Sequence, residues 1–114
     1  MKQEFRRAKR RKAPDVILVT DAMTDRVIGR VGNLSATGML LIAQEALLDD
    51  ALYQFIFTLP DAPDTRIEVG AHLLWLDEAT LAGVRWAGFR FIATTPVLAH
   101  RLQGWVNAPG SHYA

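Results

Sequence analysis

Arginine is concentrated near the N-terminus, where six of residues 6–12 are basic. Arg7 and Arg11 lie four positions apart, and Arg6 and Arg10 form a second pair at the same spacing. Side chains four apart project to one side in both a helix and an extended strand. Guanidinium groups bind phosphate in a bidentate manner, pair with guanine O6 and N7, and stack on bases. The spacing therefore predicts a site for a compact anion, without deciding which pair faces it.

A second polar motif, GNLSATGM, occupies residues 32–39 between two apolar stretches. Asn33 and Ser35 offer short side chains that bond to backbone or ligand, and Gly38 permits close approach of another group. By composition alone the motif is also compatible with an ordinary turn.

Charge is distributed unevenly along the 114 residues. Residues 1–12 carry seven bases and one acid, whereas the remaining 102 residues carry six bases and 11 acids. A net charge of +6 thus sits beside a body of net charge minus five, although the total is only +1. Such a basic run is commonly a solvated tail or a nonspecific nucleic-acid tail. Any anionic partner is expected to bind near this arm.

No residues form a recognisable catalytic or metal-binding pattern. The chain has no cysteine, and His72, His100 and His112 lack the spacing of metal ligands. Ser35 and Ser111 are the only serines, and neither lies in a nucleophile elbow. We therefore predict no enzyme, no metal and no cofactor. The apolar runs are too short to span a bilayer, so we predict a cytoplasmic protein without membrane insertion.

The body of the chain predicts an all-β-dominated fold. Period-two patterns and turn residues predict six strands, at residues 15–20, 26–31, 38–43, 51–59, 66–76 and 84–91. In the last of these, Val84 and Trp86 alternate out of step with Phe89 and Phe91, which predicts a β-bulge at residues 87–88. Six short antiparallel strands favour a small barrel.

One helix closes the predicted domain. Thr95 is a predicted N-cap with Pro96 at the first helical position, and leucines follow at helical spacing. We expect a flexible basic arm at residues 1–12, a barrel plus helix at residues 13–107 and a tail at residues 108–114.

The order of the two motifs resembles the signature of the PilZ domain family. The arginine pair Arg7 and Arg11 is followed, after a predicted hairpin, by the NxSxxG loop with Asn33, Ser35 and Gly38. The stretches LLWL at 73–76 and AGFRF at 87–91 also resemble later strands of that family.

This resemblance implies a six-stranded antiparallel barrel that binds the bacterial second messenger cyclic di-GMP. The arginine pair is then implied to contact phosphates and guanine edges, while the loop closes on a guanine. At Asn33 the family more commonly has aspartate, and asparagine keeps an acceptor oxygen without the charge.

Three further residues have roles suggested by the resemblance or left open. In similar proteins an arginine at the position of Arg6 accompanies two stacked ligand molecules, so we expect two per protomer. Trp75 is a candidate for stacking on a guanine, although its parity on strand 66–76 is equally that of a core residue. Arg10 is a further candidate ligand residue.

The leading hypothesis is a non-enzymatic cyclic di-GMP receptor whose arm becomes ordered over the ligand and so alters binding to an unidentified protein effector. One alternative is a small nucleic-acid-binding barrel with a basic arm, which we consider less favoured because two guanidinium forks aimed at one point suit a compact anion. Another is an adaptor that binds only protein. A hydrolase is the least favoured hypothesis.

Overall fold

The computed structural model describes residues 8–77 and 83–114 and contains seven strands followed by one helix. The elements in chain order are β1 (Arg11–Lys12), β2 (Leu18–Asp21), β3 (Arg26–Leu34), β4 (Gly38–Ala43), β5 (Leu52–Leu59), β6 (Ala62–Asp77), β7 (Arg85–Ile92) and α1 (Pro96–Val106).

Strands β2 to β7 form a closed antiparallel barrel. Their order is β3, β2, β5, β6, β7, β4, and β4 pairs again with β3 to complete the ring. Every strand of the ring therefore has two hydrogen-bonded neighbours, which removes the exposed sheet edges that an open sheet would leave. The predicted six-stranded barrel with a C-terminal helix is confirmed.

Strand boundaries differ from the sequence prediction near the motifs. Strand β1 is an additional strand inside the predicted arm, and it pairs with Leu34 and Asn33 of β3. Strand β3 also continues to Leu34, so residues 32–34 belong to a strand and only residues 35–37 connect it to β4. Asn33 is consequently held by sheet hydrogen bonds rather than by a loop.

Aromatic packing fills the barrel interior. On β5 the side chains of Phe55, Phe57 and Leu59 are buried, as the period-two pattern predicts. Phe55 meets Phe89 of β7 edge to face, with ring centroids 4.8 Å apart, and Tyr53 packs beside both rings. This arrangement of aromatic quadrupoles is favourable, and it connects β5 with β7 across the intervening strand β6.

The predicted bulge in β7 is wrong. Strand β7 alternates without interruption, with Ala87, Phe89 and Phe91 buried and Trp86 exposed. The irregularity lies in its partner β6, where the register shifts between Leu73 and Trp75. Trp86 is therefore an outward-facing residue of a regular strand, and the extra residue in β6 changes the parity of β6 alone, because a bulge reverses which face the following side chains of its own strand take.

Helix α1 packs on the barrel through its C-terminal half, where Leu102, Trp105 and Val106 are buried. Its N-terminus has the predicted cap, since the backbone N–H of Leu98 donates to Thr95 Oγ1 at 3.1 Å. The segment that follows the helix returns to β1, so the two ends of the described chain lie side by side.

Candidate ligand-binding groove

Strand β1 is held between β3 and the C-terminal segment. The N–H of Lys12 donates to the carbonyl of His112 at 2.8 Å, and the N–H of Ala114 donates to the carbonyl of Arg10 at 2.9 Å. On its other edge β1 pairs with Asn33 and Leu34 of β3. Neighbouring residues of an extended segment point to opposite faces, so Arg10 and Arg11 are directed to different surroundings.

Arg10 reaches the motif on β3. Its Nη1 donates to Oδ1 of Asn33 at 3.2 Å, in a partly buried position. Desolvation by burial lowers the pKa of Arg10 from its ordinary value, because removing water disfavours the charged form. A partly desolvated guanidinium with a single side-chain hydrogen bond retains N–H donors for an anionic group.

Arg11 contacts helix α1 instead. Its Nη1 donates to the carbonyl of Trp105 at 2.9 Å, and its guanidinium carbon lies 4.3 Å from the centroid of the indole. The carbonyl belongs to the last turn of the helix, where the dipole favours a positive charge. Arg11 therefore ties β1 to α1 through a hydrogen bond and a cation–π contact.

Ser35 and Gly38 shape the connection between β3 and β4. The fully buried Ser35 Oγ accepts hydrogen bonds from the N–H groups of Thr37 and Gly38, both at 3.1 Å. At Gly38 a Cβ would collide with the carbonyl oxygen of Phe89 on β7. Both residues therefore fix the backbone conformation that follows Asn33, and neither places a side chain in the groove.

Bulges in β3 and β6 place the side chains of Asn33 and Trp75 on the outer face of the barrel. The register of β3 against β4 shifts between Val31 and Asn33, and that of β6 against β7 shifts between Leu73 and Trp75. Val31 and Leu73 point into the core, whereas the buried Asn33 and the exposed Trp75 both line the groove on the outer face. The core position for Trp75 that its parity suggested is therefore wrong, and its side chain is 48% exposed.

Trp75 lies across Gly88 of β7. A Cβ at Gly88 would collide with the indole ring, so only glycine leaves room for the ring against the strand. The register places Asn33, Leu40, Gly88 and Trp75 in one row across four strands. Arg10 stands at the Asn33 end of this row.

These side chains surround a groove of about 360 Å³ on the outer face of the barrel. Its lining consists of Arg10, Asn33, Met39, Leu40, Leu74, Trp75, Trp86, Gly88 and Phe89. The combination of one cation, one amide and two exposed aromatic rings suits a flat, anionic, hydrogen-bonding ligand. A larger groove, about 480 Å³ between α1 and β6, contains none of the predicted site residues.

The structure brings together only part of the predicted site. Arg10, Asn33 and Trp75 share the groove, Ser35 and Gly38 support it, and Arg11 faces the helix. Arg6 and Arg7 lie outside the described residues.

Trp86 is the groove residue that sequence analysis missed as a ligand candidate. It is 45% exposed on the outer face of β7. The sequence did contain a signal for this position. In a regular strand, residues 86 and 88 point to the face opposite to that of Phe89 and Phe91, so Trp86 is expected on the outer face.

Within residues 8–77 and 83–114, no cluster of three or more His, Asp or Glu side chains is positioned to hold a metal ion. In the same residues, the one helix is too short and too polar to cross a bilayer.

Comparison with known proteins gives a consistent family assignment. The family model of the PilZ domain matches residues 4–108. A comparison of the sequence with curated proteins finds no match.

Solved structures with the same fold include the PilZ domain of YcgR from Escherichia coli with c-di-GMP, at 20% identity and a TM-score of 0.67 over 85% of each chain. YcgR from E. coli in complex with c-di-GMP has 20% identity and a TM-score of 0.71, covering 88% of this chain and 43% of that one. The Bacillus subtilis inhibitor of motility MotI/DgrA has 16% identity and a TM-score of 0.72, covering 87% and 47%. The chain thus spans less than half the length of the last two proteins.

Proposed function

Because this chain belongs to the PilZ domain family, we propose that it is a cyclic di-GMP receptor that binds the dinucleotide in the groove beside β1 and transmits binding to a protein partner. The observation that carries the proposal is the convergence of Arg10, Asn33 and Trp75 on one groove. The proposed role is binding rather than catalysis, since the groove offers recognition groups and no nucleophile with an adjacent base.

Each of these side chains matches a part of the ligand. The Arg10 fork suits a phosphate or the O6 and N7 edge of guanine. The amide oxygen of Asn33 has one lone pair left beside its hydrogen bond from Arg10, and this lone pair accepts a hydrogen bond from guanine N1 or N2. The exposed face of Trp75 provides a surface on which a base stacks.

The position of β1 supports one of the two arginine pairs as the ligand contact. We propose that Arg10 makes the direct contact and that Arg6, which has the four-residue spacing to Arg10, contributes the second guanidinium. The family signature selects Arg7 and Arg11 instead, and this alternative requires Arg11 to leave the carbonyl of Trp105. Binding of two stacked ligand molecules, which an arginine at position 6 implies, is part of the proposal.

The proposed contacts are sufficient for micromolar binding. A dissociation constant of 1 μM corresponds to about 8 kcal/mol. Hydrogen bonds to charged groups contribute about 1.5–3 kcal/mol each, and stacking on an aromatic ring contributes about 1–3 kcal/mol per base. Two arginines, Asn33 and Trp75 together exceed the requirement, which leaves free energy to offset the ordering of the arm.

Calorimetric titration tests the proposed ligand. We expect saturable heat with cyclic di-GMP, and much weaker binding of GTP and linear diguanylate, because neither presents two guanines and two phosphates in the cyclic geometry. Saturable binding of arbitrary oligonucleotides with no response to cyclic di-GMP would favour the nucleic-acid-binding alternative. No response to either would leave the protein-only adaptor.

The proposed relay to a partner acts through the arm. Lys12 is hydrogen-bonded to His112 within the fold, so ordering on ligand binding is expected in the residues before β1. Folding these residues over the groove changes the shape and charge of one side of the barrel, which a protein partner can distinguish.

Hydrogen exchange measures this change. The amides of residues 5–10 are expected to exchange at least tenfold more slowly when cyclic di-GMP is bound, while the amide of Lys12 changes less. The amides of β5, on the far side of the ring, serve as the internal control. Equal exchange of residues 5–10 in both states would exclude the relay and leave ligand binding intact.

A further inference from the structure

Trp86 lines the proposed ligand groove, and no packing contact of the barrel core requires it there. It stands on the outer face of β7, two residues before Gly88, and its neighbours across the sheet are Ile42 of β4 and Asp77 of β6. The side chain is 45% exposed, whereas Trp105 is 2% exposed in the core. Tryptophan is a large apolar residue whose burial is favourable, so an exposed indole inside a groove suggests a ligand surface.

The residues around Trp86 form a second row across the sheet, next to the row that contains Asn33 and Trp75. In the sheet register, Trp86 pairs with Ile42 of β4, and Ile42 pairs with Arg30 of β3. Arg30 is exposed, and its side chain has no hydrogen-bond or ion-pair partner in the described part of the chain. The second row thus contains an arginine, an aliphatic residue, an exposed indole and, at its β6 end, the carboxylate of Asp77. The first three residue types also occur around the groove, as Arg10, Leu40 and Trp75.

We propose that Arg30, Ile42 and Trp86 form a second base subsite, in which Trp86 stacks on a guanine that Trp75 does not contact and Arg30 contacts the attached phosphate or the guanine edge. The proposal rests on the proposed function, because it takes a ligand with more than one base. Positions 86 and 88 are about 7 Å apart along the strand. The two indoles therefore present neighbouring surfaces in one groove rather than one shared surface.

The two subsites have different chemistry. The first row contains an amide oxygen that accepts from guanine donors, whereas the second contains a ring, an aliphatic side chain and one cation, with Asp77 on the far side of the ring from Ile42. Stacking tolerates any base. Trp86 is therefore expected to add affinity for cyclic dinucleotides with little selectivity for the base.

Calorimetry on the full chain tests the subsite. We expect Trp86→Ala to weaken cyclic di-GMP binding about tenfold, Trp86→Phe to remain within about threefold of the parent because a ring is kept, and Arg30→Gln to weaken binding about fivefold. Val97→Ala, an exposed apolar residue on α1 outside the groove, is the matched control and should bind like the parent.

Tryptophan fluorescence provides a second measurement. In a Trp75→Phe variant, Trp86 is the only exposed indole, since Trp105 is buried. Cyclic di-GMP should quench its emission saturably, at the affinity measured by calorimetry. Binding by the parent together with unchanged affinity of Trp86→Ala and no quenching in Trp75→Phe would overturn the subsite. Failure of the parent itself to bind would instead overturn the proposed function.

Discussion

Replacement of Arg10 with alanine is expected to weaken cyclic di-GMP binding about 100-fold while leaving the fold intact. The loss follows from the position of Arg10 beside Asn33 in the groove, since two charge-assisted hydrogen bonds contribute about 3 kcal/mol or more. Arg10→Lys should recover only a small part of the affinity, because an ammonium keeps the charge without the planar fork. Calorimetric titration of each variant measures the effect.

Arg11→Ala is the matched variant, since it removes the same group from the next position. Its guanidinium is bonded to Trp105, so its loss should lower the free energy of unfolding by about 1 kcal/mol and the Tm by roughly 5 °C. Thermal unfolding measures the loss of stability in each variant, and calorimetric titration measures the loss of affinity for cyclic di-GMP. The reverse result, in which Arg11→Ala abolishes binding at unchanged Tm and Arg10→Ala binds normally, would assign the ligand to Arg7 and Arg11.

The barrel was predictable because most of its strands obey simple periodicity. On β5, Phe55, Phe57 and Leu59 alternate with exposed or half-buried residues, and a turn residue or glycine stands near each strand end. Thr95 and Pro96 likewise mark the start of α1, because the cap and the fixed φ of proline act locally. Such signals depend on neighbours in sequence and need no tertiary information.

The orientation of the groove residues was not predictable in the same way. Trp75 has the parity of a core residue, and a single extra residue opposite β7 reverses it. The position of a bulge depends on pairing between strands, which the sequence of one strand does not specify. The choice of arginine pair was also not predictable, because Arg6 with Arg10 and Arg7 with Arg11 have the same four-residue spacing. Only the pairing of β1 with β3 distinguishes the orientation of Arg10 from that of Arg11.

Gly38, the first residue of β4, is expected to be essential for stability, independently of any effect on ligand binding. Gly38→Ala should lower the free energy of unfolding by about 2–3 kcal/mol and the Tm by roughly 10 °C or more. A methyl group there meets the carbonyl of Phe89. That carbonyl belongs to the paired backbone of β7, which cannot move aside as a flexible side chain would. Thermal unfolding monitored by circular dichroism measures the change.

Gly104→Ala is the control for the glycine substitution itself. Gly104 lies inside α1 with no atom within 4 Å of an added Cβ, so alanine should stabilise the protein by about 0.5–1 kcal/mol. If Gly38→Ala kept the parental Tm but lost cyclic di-GMP binding, the glycine would be needed for close approach of the ligand rather than for the packing of β4 against β7. If binding persists at temperatures where Gly38→Ala remains folded, the motif glycine acts through the backbone that positions Asn33.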